Sequence, residues 1–418
     1  MHPERVRARL DRSATTALRL GHEIGGWMRR GHDDRRLHRF TGHLDVLDGV
    51  LSRMLGAVVR EIEAIDPRAA SGEAYRRCGE LDGAVFTIRR LFDWYAAKYD
   101  QRRDPVLAGI LACADEVVLS CWRQPFEDLG REPPTGPLAY VEPRFDAFAT
   151  PRVSVPPDLR LPADSLVAEF VGRLPVPVVC LPEWTAVQAW WLTLAAHEVG
   201  HHVHKDLDPG LENASRDALA EATGDERWRR WALESFADAY SVLMLGPAAA
   251  WIVEELGHGP PESLTRAHGG YPPLPVRLAL MAEVARQAGL GGAGAPELAG
   301  AAGALLGLRA GGRTLVELSG LSPGWFAERG TVRAQARSLA GSDPFLPRLA
   351  EPYSARLLLA AAATVVDAGP AAPSALHANL LRHLPRCGPP GRLGVSPAGP
   401  PVARLAEELT GRLLGSTR

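Results

Sequence analysis

The chain lacks the features of a disulfide-rich or membrane-spanning protein. Its five cysteines among 418 residues are scattered, odd in number and without a C-x-x-C pair. They therefore indicate neither a disulfide framework nor a thiolate zinc site. The N-terminus has no apolar stretch like that of a signal peptide, and the longest apolar runs, such as residues 357–366, are too short to span a bilayer. We predict a cytoplasmic protein with reduced thiols and no membrane insertion.

Lysine is nearly absent, since only Lys98 and Lys205 occur among the 47 basic residues. With abundant Ala, Gly and Pro, this composition is typical of a bacterium with a GC-rich genome. The net charge of -2 argues against a general affinity for nucleic acid or anionic membrane. Residues 1–40 are the exception, with ten Arg against five acidic residues. We interpret them as a solvated helix face rather than a docking surface for an acidic partner.

Apolar spacing and the distribution of Pro and Gly divide the chain into four regions. They are an N-terminal helical bundle at 1–128, a Pro-rich linker and strand region at 129–182, a core at 183–285 and a C-terminal Ala/Leu-rich helical region at 286–418. In the core the spacing predicts helices over 183–205 and 227–245, the second ended by Gly246 and Pro247. The predicted fold class is mainly α (α+β).

The first of these helices contains the segment H-E-V-G-H. His197 and His201 are four residues apart, so both imidazoles lie on one helix face and can reach the same zinc ion. Glu198 projects towards the water that such a zinc activates. Zinc lowers the pKa of that water to about 7, and a neighbouring carboxylate accepts its proton as the water attacks a carbonyl. The pattern predicts one zinc ion per chain, with Glu198 as the general base.

A catalytic zinc takes three protein ligands and keeps one open position. The second helix offers the third ligand in W-A-L-E-S-F-A-D-A-Y, where Glu234 and Asp238 are four residues apart among apolar neighbours. Glu234 can complete the coordination while Asp238 accepts the N–H of a ligand imidazole. Ala237 and Ala239 would let the two helices approach closely. Other acidic residues between the two helices remain rivals for the third ligand. They are Glu212, Glu221 and Glu226.

Further histidines accompany the motif. The extended form H-E-x-x-H-x-x-G-x-x-H needs Gly and His at the positions that His204 and Leu207 occupy here, so that form is excluded. We expect His202 and His204 to face solvent or a neighbouring loop rather than the metal. His22 begins a similar segment, H-E-I-G-G, which lacks the second histidine and predicts no metal site.

With H-E-V-G-H followed by E-S-F-A-D, the chain resembles the gluzincin peptidases. It is most similar to the family of the CAAX prenyl endopeptidase and its bacterial heat-shock protease relatives, over residues 176–285. The resemblance implies that the zinc ligands are His197, His201 and Glu234. It also implies that Glu198 is the base and that Asp238 orients a ligand imidazole. The best-known members of that family have transmembrane helices, which this chain lacks.

After the third ligand, members of that family carry a His-Pro segment with a following Arg. The segment A-H-G-G-Y-P-P-L-P-V-R resembles a loose version of it, with a different spacing. The resemblance therefore implies that His268, Tyr271 or Arg277 hydrogen-bonds the oxyanion of the transition state. The structural alternative is a Pro-rich turn with a capping His and a packed Tyr.

The resemblance also implies a zincin-like catalytic core with a small antiparallel sheet, flanked by helical regions. In that family the edge strand of the sheet pairs with extended substrate, and V-P-V-V-C-L-P is well placed to be this strand. A plain buried strand is the alternative.

These observations predict a zinc metalloendopeptidase whose substrate is an intracellular protein or peptide. One variant of this hypothesis is a regulatory peptidase that cleaves a single intracellular protein, with the flanking helices gating access. The alternative outside enzymes is a non-catalytic, metal-stabilised helical scaffold or partner-binding protein that retains HExxH. A structural zinc needs no general base and more often has four protein ligands. We expect no nucleic-acid partner, and the sequence leaves the oligomeric state open.

Overall fold

A computed structural model of the chain is mainly α-helical, with two small β-sheets. In helix α1 (Pro3–Asp33) the buried residues Val6, Leu10, Leu20 and Ile24 recur at the spacing of one helix face. The residues that the structure describes are 3–67, 71–142, 148–150, 159, 165–257, 259–260, 264–267, 269–319, 339, 354–367, 373–387, 394 and 396–415.

The chain divides into two compact units, each discontinuous in sequence. Unit 1 comprises Met1–Asp100, Arg152–Val176 and Gly394–Arg418, and unit 2 comprises Gln101–Pro151 and Pro177–Leu393. The predicted region boundaries at 128, 182 and 285 do not coincide with these units. Each unit combines segments that are distant along the chain, whereas apolar periodicity reports only on local structure.

Unit 1 is a bundle of helices. Besides α1 they are α2 (Thr41–Glu63), α3 (Ser71–Asp100), α5 (Ser165–Arg173) and α14 (Pro400–Gly415). Helices α1, α2 and α3 pack against one another, α14 packs on α2, and α5 packs on α3.

Unit 2 contains the sheets and most of the shorter helices. The helices are α4 (Ala108–Asp128), α6 (Leu194–Asp206), α7 (Leu211–Thr223), α8 (Arg227–Leu245), α9 (Ala249–Gly257), α10 (Leu274–Gln287), α11 (Ala299–Leu306), α12 (Ser354–Asp367) and α13 (Pro373–His383). Helix α6 packs against α4 and α8, and α8 also packs against α7 and α10. The two helices of the predicted metal site are therefore central to this unit.

The main sheet consists of β1 (Leu138–Glu142), β2 (Phe148–Thr150) and β3 (Val178–Pro182), in the order β1-β3-β2. Strand β1 is parallel to β3 and β2 is antiparallel to it. The sheet is therefore mixed, which corrects the expectation of an antiparallel sheet. Parallel strands need a long crossover, and the connection 143–177 provides it. A second, two-stranded sheet pairs β4 (Arg309–Ala310) with β5 (Arg313–Thr314).

The segment V-P-V-V-C-L-P forms the central strand β3, whose residues are all buried. Because β1 and β2 hydrogen-bond to its two sides, its main chain is not an exposed edge. The prediction that it is the substrate-pairing edge strand is wrong, and the alternative of a plain buried strand is confirmed.

The first predicted core helix begins later than expected. Residues 183–193 form two 3-10 turns, Glu183–Ala186 and Ala189–Thr193, and α6 starts at Leu194. Gln188 takes a non-helical backbone conformation between the turns, with φ -137 and ψ 79. Val, Trp and Thr are weaker helix formers than Ala or Leu, which favours this interruption.

The second predicted core helix, α8, spans Arg227–Leu245 and ends at Gly246, as expected from the sequence. Gly246 has φ 69, which favours glycine at this helix end. One helical stretch, Arg227–Gly257, is apolar and long enough to cross a membrane, but 78% of its apolar window is buried in the protein. This burial is typical of a core helix.

Helices α6 and α8 approach closely at Gly200. A Cβ atom at Gly200 would lie 3.0 Å from Cα of Ala237 and 3.3 Å from Cβ of Tyr240. These distances are tighter than most contacts of a Cβ atom, so an added side chain would require the neighbouring helix to shift. Gly200, between the two motif histidines, and Ala237, between Glu234 and Asp238, therefore allow the two helices to bring their polar residues together.

We predict that Gly200→Ala lowers the stability of the protein, because the added methyl group pushes α6 away from α8. Overpacking of this kind costs about 1–3 kcal/mol. Thermal unfolding measures the effect, with Gly303→Ala as the control. A Cβ at Gly303, also within a helix of unit 2, would make an ordinary 3.5 Å contact with Gln287. Equal melting temperatures for Gly200→Ala and wild type would contradict this account of the helix crossing.

Candidate metal centre

Two imidazoles and a carboxylate converge between α6 and α8. One potential ligand atom from each of His197, His201 and Glu234 lies within 4.8 Å of the others, and all three residues are buried. Nε2 of His197 is 3.3 Å from Oε2 of Glu234, and Nε2 of His201 is 3.7 Å from Oε1. This buried group could hold a metal ion.

The spacing of these atoms is of the order that a small metal ion requires. Nitrogen and oxygen ligands at 2.0–2.1 Å from zinc, separated by tetrahedral angles, lie roughly 3.3 Å from each other. The imidazoles of His197 and His201 lie 3.3 and 3.7 Å from the two different carboxylate oxygens of Glu234. One ligand atom from each residue lies within 4.8 Å of the other two, so the side chains must move closer together to share one ion.

Asp238, fully buried on α8, connects His197 to Arg277. Its Oδ1 lies 3.0 Å from Nδ1 of His197. Arg277 of α10 donates from Nε to Oδ2 at 2.8 Å and from Nη2 to Oδ1 at 2.7 Å. Burial favours the neutral acid, but the charge and hydrogen bonds of Arg277, together with His197, hold the pKa of Asp238 well below its usual range. A carboxylate 3.0 Å from Nδ1 of His197 favours the tautomer with its proton on Nδ1, which leaves Nε2 to face the metal position.

The centre combines three buried acidic side chains with one guanidinium. Glu198, Glu234 and Asp238 supply the acidic groups and Arg277 the guanidinium. Burial opposes a charge on His197, yet contacts with Asp238 and Glu234 outweigh it and raise the pKa of this imidazole to about 10. The site thus favours positive charge, and a metal ion bound at Nε2 of His197 would replace that proton.

The other histidines of α6 are buried as well, which corrects the expectation that His202 and His204 face solvent or a loop. Nε2 of His202 lies 3.2 Å from the carbonyl oxygen of Val178 in β3. Nε2 of His204 lies 2.7 Å from Oγ of Ser215 in α7, and its ring stacks on Phe236 of α8 with centroids 4.0 Å apart. Both imidazoles therefore connect α6 to neighbouring elements and are not members of the metal-binding group.

Burial lowers the pKa of two imidazoles of α6. It lowers the pKa of His201 to about 4, although the charge of Glu234 partly opposes the shift. It lowers the pKa of His204 to about 3, and the nearby His201 adds to the effect. Both imidazoles are therefore neutral at pH 7. For His201, the member of the metal-binding group, this is the form in which a histidine binds a metal ion.

Tyr271 and Glu198 lie beside the cluster. Burial, the charges of Glu234 and Glu198 and a hydrogen bond with Glu234 together raise the pKa of Tyr271. Its hydroxyl is therefore protonated at neutral pH and able to donate. The Arg277 guanidinium lies over the Tyr271 ring, 5.6 Å from its centroid. The residue remains 49% exposed, so it borders the solvent side of the centre. Glu198 is buried next to His197 on α6.

The structure separates the remaining sequence-predicted residues from the cluster. The rival acids Glu221 and Glu226 are exposed and Glu212 is partly exposed. None of these three is in the metal-binding group that the described part of the chain contains. His268 lies outside the described residues. Sequence reasoning missed the pairing of Arg277 with Asp238, because a separation of 39 residues leaves no local pattern.

No protein-family model, no curated protein and no solved structure matches this chain. The resemblance to the gluzincin peptidases therefore stays a prediction that rests on the motif residues.

We expect the Asp238–Arg277 pair to affect stability and metal affinity separately. Arg277→Met leaves the buried Asp238 carboxylate without its guanidinium partner and should cost about 3–5 kcal/mol of stability. Asp238→Leu combined with Arg277→Met should recover most of that loss, because an apolar pair can replace a buried ion pair. The double variant should still bind the metal about 10–100-fold more weakly than wild type, because His197 has lost its acceptor.

Chemical unfolding and metal titration measure these two effects. Arg227→Met, which removes an exposed ion pair with Asp225, is the control and should change neither quantity appreciably. A double variant that binds metal as tightly as wild type would show that Asp238 does not orient His197.

Proposed function

We propose that this chain is a zinc-dependent peptidase with a zincin-like core, in which His197, His201 and Glu234 hold the metal. The observation that carries the proposal is the convergence of these three buried side chains beside Glu198. Two histidines and one glutamate leave a tetrahedral ion one open position, as catalytic zinc sites do. Nitrogen and carboxylate donors in this geometry favour zinc over calcium or magnesium, which prefer sites made of oxygen ligands.

Each residue has a definite task in the proposed hydrolysis. Zinc, when bound, supplies a Lewis acid that polarises the peptide carbonyl and activates water. Glu198 accepts a proton from the water that attacks the carbonyl carbon, and it transfers this proton to the leaving nitrogen as the C–N bond breaks. Asp238, held by Arg277, is a positioning residue that fixes the orientation of His197.

We assign the oxyanion-stabilising role to Tyr271 in this proposal. Its raised pKa keeps the hydroxyl protonated, and its position next to the carboxylates of Glu234 and Glu198 puts a donor at the reaction centre. Arg277 is less suited to this role, because two of its nitrogens donate to Asp238.

The substrate in this proposal is an intracellular protein or peptide, and the protein acts in the cytoplasm of a bacterium without inserting into a membrane. The buried Glu198 argues for an enzyme rather than a metal-stabilised scaffold, since a structural metal site needs no general base.

The deciding experiment compares metal content and peptide cleavage in three variants. Wild type should contain one zinc per chain and cleave members of a mixed peptide library. Glu234→Ala should lose the zinc, and Glu198→Gln should keep it while losing cleavage. Glu221→Ala, which removes an exposed rival acid, is the control and should behave like wild type. Zinc-free wild type would overturn the metal assignment, and zinc without cleavage of any peptide would favour the scaffold.

A second experiment tests Tyr271. Tyr271→Phe should keep the zinc and lower kcat about 10²-fold with a smaller change in KM, since loss of one oxyanion donor costs about 10²–10³ in kcat. Tyr75→Phe is a matched control, because Arg9 lies over the Tyr75 ring at 5.8 Å, much as Arg277 lies over Tyr271. An unchanged kcat in Tyr271→Phe would remove this residue from the mechanism.

A further inference from the structure

A group of tryptophans lies on unit 2 immediately before the motif helix. Trp184 and Trp191 come from the two 3-10 turns that precede α6, and Trp251 comes from α9. The ring centroids are 5.1 Å apart for Trp184 and Trp191 and 5.6 Å apart for Trp191 and Trp251. All three rings are partly exposed, and Val187 between the two turns is 65% exposed. We call these four residues the tryptophan surface.

Hydrogen bonds hold the second turn of this surface, which carries Trp191. Nε1 of Trp191 donates to Oε1 of Gln188 at 2.8 Å, and the backbone N–H of Ala189 donates to Nδ1 of His377 at 3.1 Å. Aromatic rings held in this way lose little conformational freedom when a ligand binds. Partly exposed tryptophans are also the residues most enriched among the strong contacts of protein interfaces.

The charged residues of the two segments that carry the tryptophan surface are acidic. Glu183 starts the first turn, and Glu254 and Glu255 follow Trp251 by three and four residues, so they share its side of α9. All three glutamates are exposed. Residues 183–193 and 249–257 contain no Lys or Arg. An apolar surface with an acidic rim favours a ligand that combines a bulky apolar group with positive charge, and it disfavours anionic lipid and nucleic acid.

Trp191 is close to the first motif histidine along the chain. It precedes His197 by six residues, which correspond to roughly 10 Å along the 3-10 turn and the first turn of α6. An extended peptide advances about 3.3 Å per residue. Three residues of extended peptide therefore cover about the distance that separates Trp191 from His197 along the chain.

We propose that the tryptophan surface binds the substrate peptide through a bulky apolar or aromatic side chain that has Lys or Arg beside it. This side chain lies about three residues from the scissile bond. The inference rests on the proposed peptidase function and adds the class of peptide that the site accepts.

The test measures peptide binding apart from cleavage, in the Glu198→Gln background. Four short fluorescent peptides carry either Phe or Ala at one position, with either Arg or Glu on both sides, and fluorescence anisotropy gives their affinities. The Phe/Arg peptide should bind about tenfold more tightly than each of the others. Trp191→Ala should abolish this preference.

Val187→Lys is the second variant, because an exposed side chain can be replaced without disturbing the core. This variant should also abolish the preference for the Phe/Arg peptide. Phe86→Ala is the control, since Phe86 is an aromatic residue of unit 1 that is 60% exposed. Equal affinity for the four peptides, or a preference that survives both variants, would overturn the inference. Binding to vesicles of phosphatidylcholine and phosphatidylserine that depends on Trp191, without peptide binding, would overturn it in favour of a lipid surface.

The two proposals fail in different ways. If wild type cleaves peptides and neither Trp191→Ala nor Val187→Lys alters its choice among them, the peptidase proposal stands and the tryptophan surface has no part in substrate selection. If the Phe/Arg preference depends on Trp191 but wild type cleaves nothing, the surface binds peptides and the peptidase proposal fails.

Discussion

The close crossing of α6 and α8 is the constraint on which the candidate site depends. One helix supplies two imidazoles and the other supplies a carboxylate, and neither can hold an ion alone with three protein ligands. The two backbones approach closely because Gly200 has no side chain and Ala237 has a small one. A Cβ atom added at Gly200 would lie only 3.0 Å from Cα of Ala237. A bulkier residue at either position would push the two helices, and with them the donor atoms, further apart.

Buried charge is the second physical feature of the centre. Glu198, Glu234 and Asp238 are almost fully removed from solvent, and Arg277 balances part of their charge through two hydrogen bonds to Asp238. Burying carboxylates is costly unless they are paired or bind a cation, so a fold that retains this arrangement sacrifices stability for it. The pKa values of His197, His201 and Asp238 are all strongly shifted in this centre, and such shifts on neighbouring groups are typical of functional sites.

Several elements of unit 2 combine a structural role with a position at the site. Strand β3 pairs on both sides, and the carbonyl oxygen of its Val178 contacts His202 of α6. This contact holds the motif helix against the sheet. Tyr240 of α8 donates to the carbonyl oxygen of Cys121 in α4. These contacts fix the helices that carry His197, His201 and Glu234, and rigid support of this kind is what a preorganised site needs.

The sequence by itself determined the features that depend on local spacing. Residues four apart share a helix face, which identified His197 with His201 and Glu234 with Asp238, and the glycine after α8 marked its end. Only the tertiary structure decided which strand is central, which segments form each unit and which residue pairs with Asp238. Hydrogen bonds between distant segments set these features, and a pattern read along one segment contains no information about its partner. Arg277 therefore became visible as the partner of Asp238 only when α10 was packed against α8.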